Sequence, residues 1–122
     1  MEIQLSYHGR QVSALALVDT GNFLRDPITG ETVMVADSRI GAELLNISEE
    51  LFKDPVKLLT SGQVPGLRLV PYHTVGVAGG MMPMIRIRDA KIGNRKADVL
   101  VAFAPDKIDG GGMYQMLVGG AI

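Results

Sequence analysis

Cysteine and tryptophan are both absent from the 122 residues. Without a thiol there is no disulfide, no Cys metal site and no thiol nucleophile, and the composition suits a reducing compartment such as the cytoplasm. Histidine is scarce: His8 and His73 stand far apart, unlike the clustered ligands of a metal centre. No metal and no cofactor are therefore expected. An excess of basic charge is also missing, since 12 Lys and Arg meet 13 Asp and Glu for a net charge of -1. With those charges scattered along the chain, nucleic acid is not an expected partner. No apolar run approaches the roughly 18 residues of a membrane-spanning helix, and the N-terminus lacks the basic-then-apolar layout of a signal peptide.

What is present reads as one globular domain over residues 1–122. Apolar residues make up 47% of the chain and charged ones 20%, a balance that buries a core without disulfides or metals. Aromatics are only 5%, whereas 15 glycines suit a chain with many tight turns.

The most informative stretch is Leu15-Ala16-Leu17-Val18-Asp19-Thr20-Gly21-Asn22. Four successive apolar residues predict a strand buried on both faces, and Gly21 allows a tight turn directly after the carboxylate. Asp19 is thus delivered at a strand-to-loop junction. Two readings fit. Asp, Thr, Gly and Asn are ordinary strand-closing residues, and Asp-Thr-Gly arises by chance in about a few per cent of chains this long. Alternatively, a carboxylate behind an apolar run is half of an aspartic peptidase site, in which two carboxylates share one proton. One of the two activates water and the other polarises the scissile carbonyl. There, Gly21 brings backbone N–H groups close to the acid, and the Thr20 hydroxyl reaches toward the facing loop.

A second acid is needed. Asp37-Ser38-Arg39 lacks the glycine, Asp109-Gly110-Gly111 lacks the hydroxyl, and Asp26 is too near in sequence to face Asp19 across a cleft. The simplest source is Asp19 of a second copy, related by a two-fold axis.

The rest of the chain reads as follows. Met1 to Tyr7 and Gln11 to Val18 predict a hairpin about His8-Gly9. Asp26-Pro27-Ile28-Thr29-Gly30 is a turn leading to a short strand over Glu31 to Val35. Asp37 or Ser38 caps a helix to about Leu45, and Ser48 starts a helical segment that Pro55 interrupts. The helical insertion thus covers residues 38–59 and packs over one side of a sheet. Leu67 to Tyr72 is a strand at an edge or an end because of Pro71. In Val75-Gly76-Val77-Ala78-Gly79-Gly80-Met81-Met82 apolar residues and glycines mix, which fits either a core hairpin with a Gly-rich bend or a flap closing over an extended peptide. Val77, Ala78, Gly79, Gly80 and Met81 are its candidate substrate-binding residues. Met84 to Arg88 alternates as a strand that leads through Asp89-Ala90 into Lys91-Ile92, with Arg86 and Arg88 on its solvated face and a hairpin turn at Gly93-Asn94, and Val99 to Phe103 is a further buried strand. Met113 to Leu117 predicts a short C-terminal helix.

With these pieces in order, the chain resembles the retroviral-type aspartic peptidases. It is similar, more narrowly, to the peptidase domain of the sporulation sigma-E factor-processing peptidases. That likeness rests on Ala14 to Asn22, Leu24 to Gly30, Val70 to Gly76 with Gly79-Gly80, Val99 to Ala102, Tyr114 and Leu117. The resemblance implies a mainly β, retropepsin-like closed barrel and a homodimer with catalytic Asp19 in each subunit. It also implies active-site support from Thr20, Gly21 and Asn22, and cleavage of the N-terminal pro-segment of a sigma factor precursor. In that family a membrane region, not contained in these 122 residues, anchors the peptidase domain on the cytoplasmic side of the mother-cell membrane at the septum. A secreted forespore protein activates it. Retroviral-type enzymes carry a late apolar-apolar-Gly motif beneath the active site, and its nearest match is taken as Lys107-Ile108-Asp109-Gly110. Two other functions fit the same residues: a peptide-binding module without catalysis, and a peptidase domain that is inactive until its anchor dimerises it.

Overall fold

A computed structural model of the chain describes residues 1–19, 24–74, 77–109 and 111–119, without the side chains of 73, 74 and 77–79. Strands β1 (Glu2–Tyr7) and β2 (Arg10–Val18) form the expected hairpin, closed by His8 and Gly9, both with positive φ (47° and 81°). Two such residues in succession give the turn whose twist matches that of a hairpin. Strand β3 is Val33–Ala36, β4 Arg68–Thr74, β5 Val77–Ile92, β6 Arg95–Phe103 and β7 Met116–Val118.

The strand order β1-β2-β7-β3-β6-β5 closes on itself, because Ile3 and Gln4 of β1 pair with Ile92 and Lys91 of β5. The result is a mainly β, retropepsin-like six-stranded barrel, with β4 added on the outer side of β5. Pro71 sits in this edge strand, where its missing N–H breaks no ladder on both sides. Closure depends on β5, which the sequence reads as separate pieces but which runs unbroken through sixteen residues. A bulge between Ile87 and Ala90, with Asp89 at φ 54°, bends it. The Asp89 N–H is satisfied by the Asp98 carboxylate at 3.0 Å.

The insertion is helical, as expected. Helix α1 (Ser38–Leu45) is capped by Asp37, whose carboxylate accepts from the Ile40 N–H at 3.0 Å. A short 3-10 helix follows at Glu49–Lys53. Helix α2 (Pro55–Ser61) begins with proline in its first turn and Asp54 as cap, so it runs two residues past the expected end at 59. Ile40, Leu44, Phe52 and Leu58 of this insertion join Ile3, Leu5, Ile85, Ile87 and Phe103 in the larger core cluster. The Phe52 and Phe103 rings meet at 5.5 Å and 48°, an offset geometry favoured by aromatic pairs. A second cluster joins Val33, Val35, Val70, Met82, Met84, Leu100 and Ala102, with Leu24, Tyr72, Ile108 and Leu117 half-buried against it.

The expected C-terminal helix is not formed. Met116–Val118 is a strand instead, parallel to β2 and antiparallel to β3. Met116 and Val118 are fully buried on one side while Leu117 faces the other, the period of a strand and not of a helical turn.

Candidate active site

Asp19 follows directly on β2, half-buried, and its main-chain N–H donates to the Val118 carbonyl at 2.7 Å. This continues the parallel register Ala16↔Met116, Leu17↔Leu117, Val18↔Val118. Further back along β2, Leu15 pairs with Gln115 twice: the Leu15 N–H donates to Gln115 Oε1 at 3.0 Å and the Gln115 N–H to the Leu15 carbonyl at 2.9 Å. The acid is therefore held at the barrel's end by a strand that is central in the sheet.

That strand corrects the assignment of the late motif. The apolar-apolar-Gly run beside Asp19 is Leu117-Val118-Gly119, not Lys107 to Gly110. Lys107 to Asp109 lies in a turn-rich loop, where the Asp109 carboxylate accepts from the N–H groups of Gly111 (3.1 Å) and Met113 (2.9 Å).

The strand before Asp19 is not buried on both faces either. Val12, Ala14 and Ala16 point into the core, but Leu15, Leu17 and Val18 are 50%, 44% and 47% exposed. Large apolar side chains thus stand in the open beside an acid, and Met113, close to the Leu15–Gln115 pairing in sequence, is exposed as well.

Of the other predicted site residues, Thr20, Gly21 and Asn22 lie outside the described residues. The main chain of Val77, Ala78 and Gly79 belongs to β5, with Val77 opposite Thr74, but their side chains and residues 75 and 76 lie outside the described part. Gly80 faces Tyr72 across the β4–β5 hairpin, and a Cβ on Gly80 would come within 3.0 to 3.1 Å of the tyrosine ring. The ring covers the glycine closely. Met81 is exposed on the next position of the same strand.

The acids considered as partners of Asp19 are each committed elsewhere. Asp37 caps α1, Asp109 caps its own loop, and Asp26 is bound to Arg68. Asp26 is only 1% exposed. Its Oδ1 accepts from the Ile28 N–H (3.1 Å) and Arg68 Nη1 (3.3 Å), its Oδ2 from Thr29 Oγ1 (3.0 Å) and Arg68 Nη2 (2.7 Å). The Arg68 hydrogen bonds, aided by those from Ile28 and Thr29 and opposed by burial, lower its carboxyl from 3.8 to about 2. A second arginine fork joins the same segment to β5. Arg86 binds Glu31 through two contacts of 3.1 and 2.6 Å, which lower the glutamate's pKa. Arg86 is on the exposed face of its strand, as expected, and is paired there with Glu31. Sequence reasoning assigns Asp26 only to a turn; a lone arginine at the head of the apolar strand Leu67 to Tyr72 is the signal that could have found its partner.

Residues 1–122 match the family model Peptidase_U4, described as sporulation factor SpoIIGA. The chain belongs to the Peptidase_U4 family. No curated protein and no solved structure gives a match. Membership makes this a peptide hydrolase of a sporulation family, acting on a protein substrate. Among the described residues, no helix of this Peptidase_U4 member is long and apolar enough to cross a membrane.

Proposed function

We propose that this Peptidase_U4 chain is an aspartic endopeptidase whose active site forms between two copies, each giving one Asp19. The observation that carries the reading is the setting of Asp19. The residue closes β2 at 2.7 Å from the Val118 carbonyl, beside the exposed apolar side chains of Leu17 and Val18, while Asp26, Asp37 and Asp109 are each bound elsewhere. An acid completed by a second subunit fits that setting. Leu15, Leu17 and Val18 are each about half exposed, so covering them at a dimer contact is favourable by about 1 kcal/mol each.

With the two carboxylates about 3 Å apart, only one ionises and they share a proton. The ionised Asp19 takes a proton from a bound water, whose oxygen attacks the scissile carbonyl carbon. The protonated Asp19 of the other copy gives its proton to the carbonyl oxygen. The tetrahedral diol then collapses: the C–N bond breaks, the amine leaves with a proton from one carboxyl, and a diol hydroxyl returns its proton to the dyad. Val77, Ala78, Gly79, Gly80 and Met81 form the flap that excludes water from this step. Thr20, Gly21 and Asn22 support the acid.

The substrate is the precursor of a sporulation sigma factor, cut between its N-terminal pro-segment and the mature chain. The reaction takes place on the cytoplasmic side of a membrane to which a preceding region anchors the peptidase. Incubation of the purified chain with such a precursor, followed by mass spectrometry, should give one cut near the precursor's N-terminus. Asp19→Asn should give none while keeping the circular dichroism spectrum of the parent. Cleavage by Asp19→Asn at the parental rate would overturn the reading.

A further inference from the structure

We propose that the Asp26–Arg68 pair is a positioning device, which locks the chain beyond Asp19, where it forms the hairpin from Leu24, onto β4, the strand paired with the flap-bearing β5. The inference rests on the reading of Asp19 as the catalytic acid. Its ground is the placement of four anchors. On the entry side, Asp19 is tied to Val118. On the exit side, the chain forms a small hairpin: the Val33 N–H donates to the Leu24 carbonyl (3.0 Å), Arg25 bridges to Thr32, and the Asp26 N–H donates to the Glu31 carbonyl (2.9 Å). The hairpin leads straight into β3 at Val33, and the Asp26 carboxylate is the buried polar contact that ties it to β4.

That carboxylate can accept about four hydrogen bonds and is given four, two from one guanidinium. A planar fork on a buried carboxylate fixes direction as well as distance, which a lysine cannot do. Arg68 opens β4, and along that strand Arg68, Val70 and Tyr72 occupy one face, opposite Met84, Met82 and Gly80 of β5. The strand that grips Asp26 at one end thus covers Gly80 with Tyr72 at the other, about 13 Å away at strand rise. Leu24 and Leu117 pack on the apolar cluster between the two ends. A shift of Asp26 relative to Arg68 would move the hairpin that begins at Leu24 relative to β4 and its Tyr72–Gly80 contact.

The Glu31–Arg86 fork provides an internal comparison. It joins the same small hairpin to the same sheet with similar distances, and the two arginines are similarly exposed (39% for Arg68, 36% for Arg86), but the Glu31 side chain is 42% exposed where that of Asp26 is 1%. Exposed pairs of this kind contribute little.

The test measures kcat and KM on a peptide spanning the cleavage site, together with the pH profile of kcat, for Arg68→Met, Arg68→Lys, Arg86→Met and Asp19→Asn, each under conditions where circular dichroism finds it folded. Displacement of a reacting group by about 1 Å costs on the order of 100-fold. Arg68→Met should therefore lower kcat by about 10- to 100-fold with a smaller change in KM, and should shift the pH profile by altering how close the two acids lie. Arg68→Lys should remain within about threefold of Arg68→Met, since charge without the fork does not restore direction. Arg86→Met should stay within about twofold of the parent. A folded Arg68→Met with parental kcat overturns the proposal, as does a fall in kcat that leaves the pH profile unmoved and that Arg68→Lys restores. If Arg68→Met does not fold, Arg68→Lys decides: a parental kcat, or a lowered kcat with an unmoved pH profile, overturns the proposal. An inactive Asp19→Asn beside fully active Arg68 variants rejects this inference alone; an active Asp19→Asn rejects the reading of Asp19 and this inference with it.

Discussion

The N–H of Asp19 donates to the Val118 carbonyl at 2.7 Å, so the acid is fastened to the last strand of the barrel. β7 contributes only three residues, yet it lies between β2 and β3 and bonds to both. The site accordingly depends on the packing of a very short element.

Met116 is the side chain that seats this element, fully buried between β2 and β3. Met116→Ala should cost about 2–5 kcal/mol, the range for a large buried side chain cut to alanine. Urea unfolding measures it, and a loss below about 1 kcal/mol would mean that the strand is held by its main chain alone.

Gly41 gives a case in which two effects oppose. In a helix interior, Gly→Ala is worth up to about 1 kcal/mol in favour of folding. Here a Cβ would stand 2.6 Å from Phe52 Cζ and 2.8 Å from Phe103 Cδ1, both on fully buried rings. Overpacking costs about 1–3 kcal/mol, and neither ring is free to swing out. Gly41→Ala should therefore lower stability, by up to about 2 kcal/mol net of that gain, with a fall in Tm readable by calorimetry.

Acid should reveal the Asp26–Arg68 pair. The folded-state pKa of Asp26 is about 2, below its ordinary 3.8. The stability it contributes is thus fully present above about pH 4 and is lost as the pH falls toward 2. The Glu31 carboxyl, lowered by Arg86, adds to the same trend. Urea midpoints measured in steps across this window should fall steeply for the parent. They should fall less, or rise, for Arg68→Met, whose Asp26 gains by taking up a proton. An identical slope in the two proteins would contradict the assignment.

Leu15 and Leu17 are exposed on the strand that ends at Asp19. If they are covered by a second copy, Leu15→Lys with Leu17→Lys should sediment as a monomer at concentrations where the parent is a dimer. The specific activity of the pair of changes should rise with protein concentration, because dimer population follows mass action. Unchanged sedimentation would place the contact elsewhere.

The sequence reveals what is local. The hairpin about His8-Gly9, the Asp37 cap, the break of the helical segment at Pro55 and the edge position of Pro71 all follow from residues within a few positions of each other. The resemblance to retroviral-type peptidases rightly implies a closed barrel. What does not read out depends on distant pairing. Met116–Val118 has the composition of a helical turn and is a strand because β2 and β3 lie on either side. Leu15, Leu17 and Val18 are apolar, and apolar pattern alone cannot tell a core face from one left open. Asp26 and Arg68 are 42 positions apart, beyond the reach of any turn rule.

Mixing parent with Asp19→Asn tests the shared site most directly. At fixed parent concentration, under conditions where subunits exchange and chains are mostly dimeric, an equal amount of Asp19→Asn should halve the activity, to about 50%, because mixed dimers hold one acid and are inert. Activity that stays constant as the inactive chain is added would mean that each chain carries a complete site, and would contradict the account.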